Sequence, residues 1–163
     1  MSKESSFQSF TSRLKLLQLL SFGHSLVPKM TAPKTLLNYV YKILPNSPVY
    51  QGVPIPIPSS WDFPQTEVDL NDGFAHLSTR EQLLGTLSRF FNEDISVQLL
   101  KVDYPRMSAS KIVKWEIASN GAAFPHLYAR LTGEFVKDLK IVNQEDSWKG
   151  TVKKLEEQSW LED

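Results

Sequence analysis

Between Pro45 and Thr66, prolines stand at positions 45, 48, 54, 56, 58 and 64. Each one fixes φ and removes a backbone donor, so neither a regular helix nor a central strand can run through this stretch. The segment is expected to be an extended, polyproline-like connector, and regular structure must lie on either side of it. Two readings of the connector are open. It lines a groove, or it packs over a core as a loop with Trp61 and Phe63 as plugs.

The flanks carry the periodic signals. Tyr39 to Leu44 reads as a short buried strand that Pro45 stops. After an Asn71-Asp72-Gly73 turn, Phe74 to Leu77 reads as a brief strand. Ser78, with Glu81 three residues on, predicts the cap of a helix whose buried face is Leu83, Leu84, Leu87 and Phe90/Phe91, running to Asn92. Ser96 to Val102 and Ile112 to Ile117 read as strands, the second with Trp115 and Glu116 on opposite faces. Asn120-Gly121 turns the chain. Ala123 to Leu131 is too proline-broken for a helix and too aromatic for a solvent loop. Phe135 to Val142 is the last expected core strand, and Lys149 to Trp160 predicts a polar helix. Short strands with one or two core helices imply a single α+β domain rather than a doubly wound sheet. Its expected bounds are 36–145, with a polar C-terminal helix over 146–163.

Residues 1–35 read as a flexible or amphipathic basic arm. Within Phe7 to Phe22, Phe10, Leu14, Leu17 and Leu20 recur at helical spacing, and up to Lys34 the only acidic residue is Glu4. In composition the arm resembles a mitochondrial transit peptide; a surface helix or plain extension is the other reading. No apolar run reaches the roughly 18 residues that span a bilayer, so no membrane is expected. A chain of 163 residues without cysteine has no disulfide, thiolate nucleophile or cysteine zinc site, and the reducing interior of a cell is its natural setting, cytoplasmic or alternatively mitochondrial. Lysine plus arginine equals aspartate plus glutamate at 18 each, which removes the basic bias of a protein living on nucleic-acid phosphates.

Several chemistries are excluded by missing motifs. There is no Gly-x-Gly-x-x-Gly, no phosphate loop ending in Gly-Lys-Ser/Thr, no Gly-x-Ser-x-Gly elbow and no His-Glu-x-x-His. His76, His126 and Glu116 are an ordinary ligand set, but their spacing carries no metal signature and no metal is expected. What is left is a pair of histidine motifs, Asp72 to Thr79 and Phe124 to Tyr128, with Trp115-Glu116 between them. Each residue taken alone has a structural explanation, yet both histidines fall at ends of elements beside hydroxyls or an aromatic ring, where sites form. The Ser78 and Thr79 hydroxyls and free amides at a helix start would favour an anionic group such as a phosphate.

The string DGFAHLSTREQLLGTL, then KWE, then FPHLYARL resembles domain-of-unknown-function family 952 in order, spacing and identity over about Tyr39 to Val142. That family is grouped by fold with the ADP-ribosyltransferase-like superfamily, in which a cleft in a split antiparallel sheet binds NAD. The resemblance implies that His76, followed by Ser78, holds the nicotinamide-side ribose, that Tyr128 stacks on the nicotinamide, and that Glu116 orients the ribose hydroxyl and stabilises an oxocarbenium-like transition state. His126 is an additional polar group. A second histidine is also similar to the RNA 2′-phosphotransferase branch, whose two arginine clamps would be replaced by Lys42 on the first strand and, loosely, by Arg130. The implied ligand is NAD or ADP-ribose. Transfer to a macromolecule, NAD hydrolysis and binding without turnover all stay open, as does a non-catalytic module that meets a protein partner through the proline connector and C-terminal helix.

Overall fold

The computed structural model describes residues 36–163, and the basic arm expected over 1–35 lies outside the described residues. Strands β1 (Tyr39–Pro45), β3 (Ser96–Asp103) and β6 (Val136–Asn143) form one antiparallel sheet in the order β1-β3-β6. A second antiparallel sheet joins β2 (Ala75–His76), β4 (Val113–Ile117) and β5 (Ala123–Leu127) in the order β2-β5-β4. Four α-helices accompany them among the described residues: α1 (Glu67–Asp72), α2 (Arg80–Phe90), α3 (Tyr104–Ser110) and α4 (Trp148–Glu157).

β1 and β3 are buried on both faces, which is why they read as apolar runs, whereas the edge strand β6 leaves Lys137, Asp138, Ile141 and Asn143 exposed. On one side Tyr41, Ile43, Leu99 and Val142 meet Leu83 and Leu87 of α2 and Trp148, Val152 and Leu155 of α4. On the other, Val40, Leu44, Leu100 and Val102 meet Ala75, Trp115 and Leu127 of the second sheet. The result is a layer of helices, a central sheet and a smaller outer sheet around shared cores, an α+β arrangement. The two sheets touch edge to edge where Tyr41 N–H donates to Ser78 O at 2.8 Å and Ser78 N–H to Tyr41 O at 2.9 Å.

The proline segment forms neither a helix longer than the three-residue 3-10 turn Pro48–Tyr50 nor a strand of either sheet. It behaves as the packed loop: Phe63 is buried in the inter-sheet core and Trp61, Val53 and Ile57 rest on it. Backbone bonds from Phe63 N–H to Leu131 O and from Gly133 N–H to Trp61 O tie it down. The helix expected to follow is capped one residue later than its sequence suggests. Thr79 Oγ1 accepts the Gln82 N–H and Gln82 Oε1 accepts the Thr79 N–H, at 3.3 and 3.1 Å. The reciprocal box is therefore Thr79/Gln82, not Ser78/Glu81, because the Ser78 backbone is committed to the bridge with Tyr41.

Other differences have similar local causes. Ala123 to Leu127 is a strand, and a central one, despite Pro125. Backbone groups point alternately to the two neighbours, and Pro125 O accepts from Leu77 N–H just past β2. Its missing donor therefore faces the two-residue neighbour, and no bond to β4 is lost. Two short helices, α1 and α3, stand where the sequence shows no helical period. In α1 the Thr66 hydroxyl accepts from Asp69 N–H and Gly73 ends the helix at φ 79°; in α3 Asp103 accepts from Arg106 N–H and Pro105 sits in the first turn. The C-terminal helix is amphipathic rather than polar, with Trp148, Thr151, Val152 and Leu155 turned inward. Trp160 and Leu161 beyond it join the same core.

Candidate functional site

Strand alternation divides the second sheet into two chemically distinct faces. Ala75, Trp115 and Leu127 point into the core. The cross-strand pairs His76↔His126, Lys114↔His126 and Glu116↔Phe124 therefore carry the opposite face, and Tyr128 continues it past the end of β5. The two histidine motifs and Glu116 thus meet on one surface, because register and alternation place them on the same face of the paired strands. Phe74 stands at the centre: its ring stacks on His126 at 4.1 Å and 17°, and lies 4.6 Å from His76 and 5.2 Å from Tyr128.

His76 is held between two carboxylates from α1. Nδ1 lies 2.8 Å from Asp69 Oδ1 and Nε2 lies 2.9 Å from Asp72 Oδ2. Since a carboxylate only accepts, both ring nitrogens carry protons and the ring is a cation. Burial works against that charge, but the bonds to Asp69 and Asp72 outweigh it and raise the pKa above the usual histidine value. Asp69 is almost fully buried and also takes the Lys42 ammonium at 2.6 Å and the His76 backbone N–H at 3.1 Å. Burial would raise its pKa; Lys42 and His76 overcome this and hold it far below the ordinary carboxylate range.

His126 has the opposite environment. Its Nδ1 lies 2.5 Å from Glu116 Oε2, and the Tyr128 hydroxyl donates to both Glu116 oxygens at 2.8 and 3.0 Å. Burial depresses the His126 pKa to about 4, with Glu116 opposing the shift and the His76 cation reinforcing it. The ring is neutral near pH 7. Burial, then the bond to Glu116, pushes the Tyr128 phenol well above its usual value, so it stays a donor. Lys114 lies over the Tyr128 ring, 4.4 Å from its centre.

A cleft of about 370 Å³ opens beside these groups, bounded by α2, the end of β1, α1 and the β4–β5 turn. Lys42, His76, Ser78 and His126 of the expected residues line it; Thr79, Glu116 and Tyr128 do not. Glu116 and Tyr128 connect to the cleft through His126. Ser78 Oγ lies 3.3 Å from Thr86 Oγ1, while Thr79 is spent on its capping box. The amides expected to be free for a phosphate are thus bonded at Ser78 and Thr79. Lys42 is neutralised by Asp69, and Arg130 is an exposed partner of Asp62. Asp69, Asp72 and Phe74 were missed as site residues, although Thr66-x-x-Asp69 is a cap signal and Asp72 stands four residues before His76. Among the described residues no group of three His, Asp or Glu is placed to hold a metal ion.

A family described as "Protein of unknown function (DUF952)" matches residues 59–139. The crystal structure of protein CC0527 from Caulobacter crescentus is similar at 31% identity, covering 66% of this chain and 88% of that one, with a TM-score of 0.55. The chain belongs to the DUF952 family. The solution NMR structure of the same bacterial protein is similar at 28% identity over 75% of this chain and 97% of that one, again at a TM-score of 0.55. No curated protein matches the chain. In this DUF952 member the matched region spans the second sheet, α2 and the polar face on which both histidines lie. No helix of the described residues is long and apolar enough to cross a membrane.

Proposed function

We propose that this domain binds a nucleotide-type ligand, NAD or ADP-ribose, in the cleft beside α2. The observation that supports this most is that His76 and His126 stand directly opposite each other on adjacent strands and line one concavity. The cleft falls at the small end of ligand pockets, roughly 300–1,000 Å³, which suits one nucleoside half of a dinucleotide. Phe90, Phe91 and Phe124 supply apolar wall, and Arg89 at the exposed rim is positioned for a pyrophosphate. The resemblance to ADP-ribosyltransferase-like proteins supplies the ligand class. In this reading His76 and Ser78 contact the ribose, and Glu116 and Tyr128 act from behind His126 rather than on the ligand.

One feature removes His76 itself from any proton transfer in the cleft. Both nitrogens of His76 are consumed by carboxylates, as in a structural histidine. Calorimetric titration of the full chain with NAD, ADP-ribose and inorganic phosphate, alongside an assay of nicotinamide release, separates the readings. Saturable NAD or ADP-ribose binding that weakens in Arg89→Ala supports the ligand cleft. No binding of either dinucleotide-type ligand removes it.

A further inference from the structure

The His126 ring is fixed on three sides. Glu116 holds its Nδ1, Phe74 covers one face, and the His76 ring meets it at 5.2 Å in an edge orientation. Glu116 cannot swing away, because Tyr128 donates to both its oxygens. With the proton of the neutral ring on Nδ1, where it is donated to Glu116, the lone pair lies on Nε2. His126 also lines the cleft. A carboxylate that orients an imidazole through one nitrogen, while the other is left as acceptor beside a ligand cavity, is how proteins build a general base. His76 cannot share this task, since both its nitrogens already donate to Asp69 and Asp72. Glu116 cannot do it directly, since its oxygens are taken and it does not line the cleft.

Resting on the ligand reading above, we propose that His126 Nε2 is the general base for a water or hydroxyl nucleophile in this cleft, with Glu116 and Tyr128 as positioning residues. The substrate class is an N-riboside with a cationic leaving group. A proton of the nucleophile's O–H passes to Nε2 as the oxygen's electron pair bonds to the anomeric carbon. The carbon–nitrogen bond to the pyridinium breaks, and its electron pair leaves on the ring nitrogen as neutral nicotinamide. The imidazolium then gives its proton to solvent. With water, NAD yields ADP-ribose, nicotinamide and one proton. Burial, reinforced by the His76 cation, keeps a second proton off His126, against the opposing pull of Glu116 and Asp72. The charged or titratable groups acting on the His126 ring are Glu116 from β4, His76 from β2 and Asp72 from α1.

Diethylpyrocarbonate, which acylates unprotonated imidazole nitrogens, tests the geometry on the full chain at neutral pH with mass-spectrometric mapping. The expected result is modification of His126, protection of His76, slower modification of His126 with NAD present, and several-fold slower modification in Glu116→Gln. An unmodified His126, or one modified equally fast in Glu116→Gln, overturns the assignment. Nicotinamide release then tests the chemistry: His126→Gln should lower kcat by about 10²–10⁴-fold with KM little changed, and Glu116→Gln should lower it by less. A wild-type chain that binds NAD without releasing nicotinamide, or a His126→Gln variant as fast as wild type, overturns the base. Failure of NAD to bind or to protect defeats the ligand reading instead, and calorimetry shows that separately.

Discussion

His76 and His126 share a strand register, a face and a neighbouring phenylalanine, yet their surroundings make them opposites. On the α1 side two carboxylates and a buried lysine surround one imidazole, and the cluster resolves into ion pairs that keep His76 charged. On the β4 side a single glutamate faces an imidazole that burial has already stripped of its second proton. The same side chain is therefore a structural cation in one position and a lone-pair donor in the other. The number of carboxylates in reach, rather than burial alone, decides which.

The α1 side should be the more fragile to truncation. Asp69→Ala leaves the Lys42 ammonium and the His76 cation buried beside an empty site, so it should cost about 3–5 kcal/mol. Chemical denaturation should show a correspondingly lower midpoint. An effect under about 1 kcal/mol, the size of an exposed pair, would erase the contrast.

Acid should sharpen the comparison from the other side. His126 titrates near 4 when folded and near 6.5 when unfolded, so below pH 6.5 the unfolded state binds the extra proton. Stability contributed by this group is full above pH 6.5 and is lost as pH falls towards 4, by up to about 3 kcal/mol. His76 has the opposite sign: its raised pKa adds stability that is full below the unfolded value and lost as pH rises through the folded one. Asp69 adds its own loss only further into acid, below the ordinary carboxylate range. Unfolding curves from pH 7 to 4 should therefore fall steeply for wild type and more gently for His126→Gln.

The smallest effect belongs to the outer end of the β4 side. Tyr128→Phe removes one hydroxyl from Glu116 and leaves the ring under Lys114, for a loss of about 1 kcal/mol in thermal or chemical unfolding. A loss as large as that of Asp69→Ala would mean that the two sides do not differ in the way described.

Much of this architecture was legible in the sequence because its signals are local. The strand at Tyr39, the one at Ser96 and the turn at Gly121 follow from apolar runs and turn residues, and the six prolines placed the connector. The short helices α1 and α3 escaped because six or seven residues give too few turns for a hydrophobic period, although Thr66, Gly73, Asp103 and Pro105 marked their ends. The cap at Thr79 escaped because the Tyr41–Ser78 bridge is non-local. In the site, turn residues and short apolar runs were enough to put His76 and His126 at ends of elements, and period two set Glu116 on the face opposite Trp115. What it could not convey is that Asp69 and Asp72 reach His76 from α1, or that Glu116 turns to His126 instead of the cleft. Both depend on tertiary placement, and both decide the charge of a histidine.

Nitrogen-15 NMR of the imidazole side chains at pH 7 reads the charge difference between the two histidines. His76 is expected to show two protonated ring nitrogens and His126 one, with the proton on Nδ1 and a bare Nε2. Two rings with the same protonation pattern, titrating together near the value of a free histidine, would contradict it.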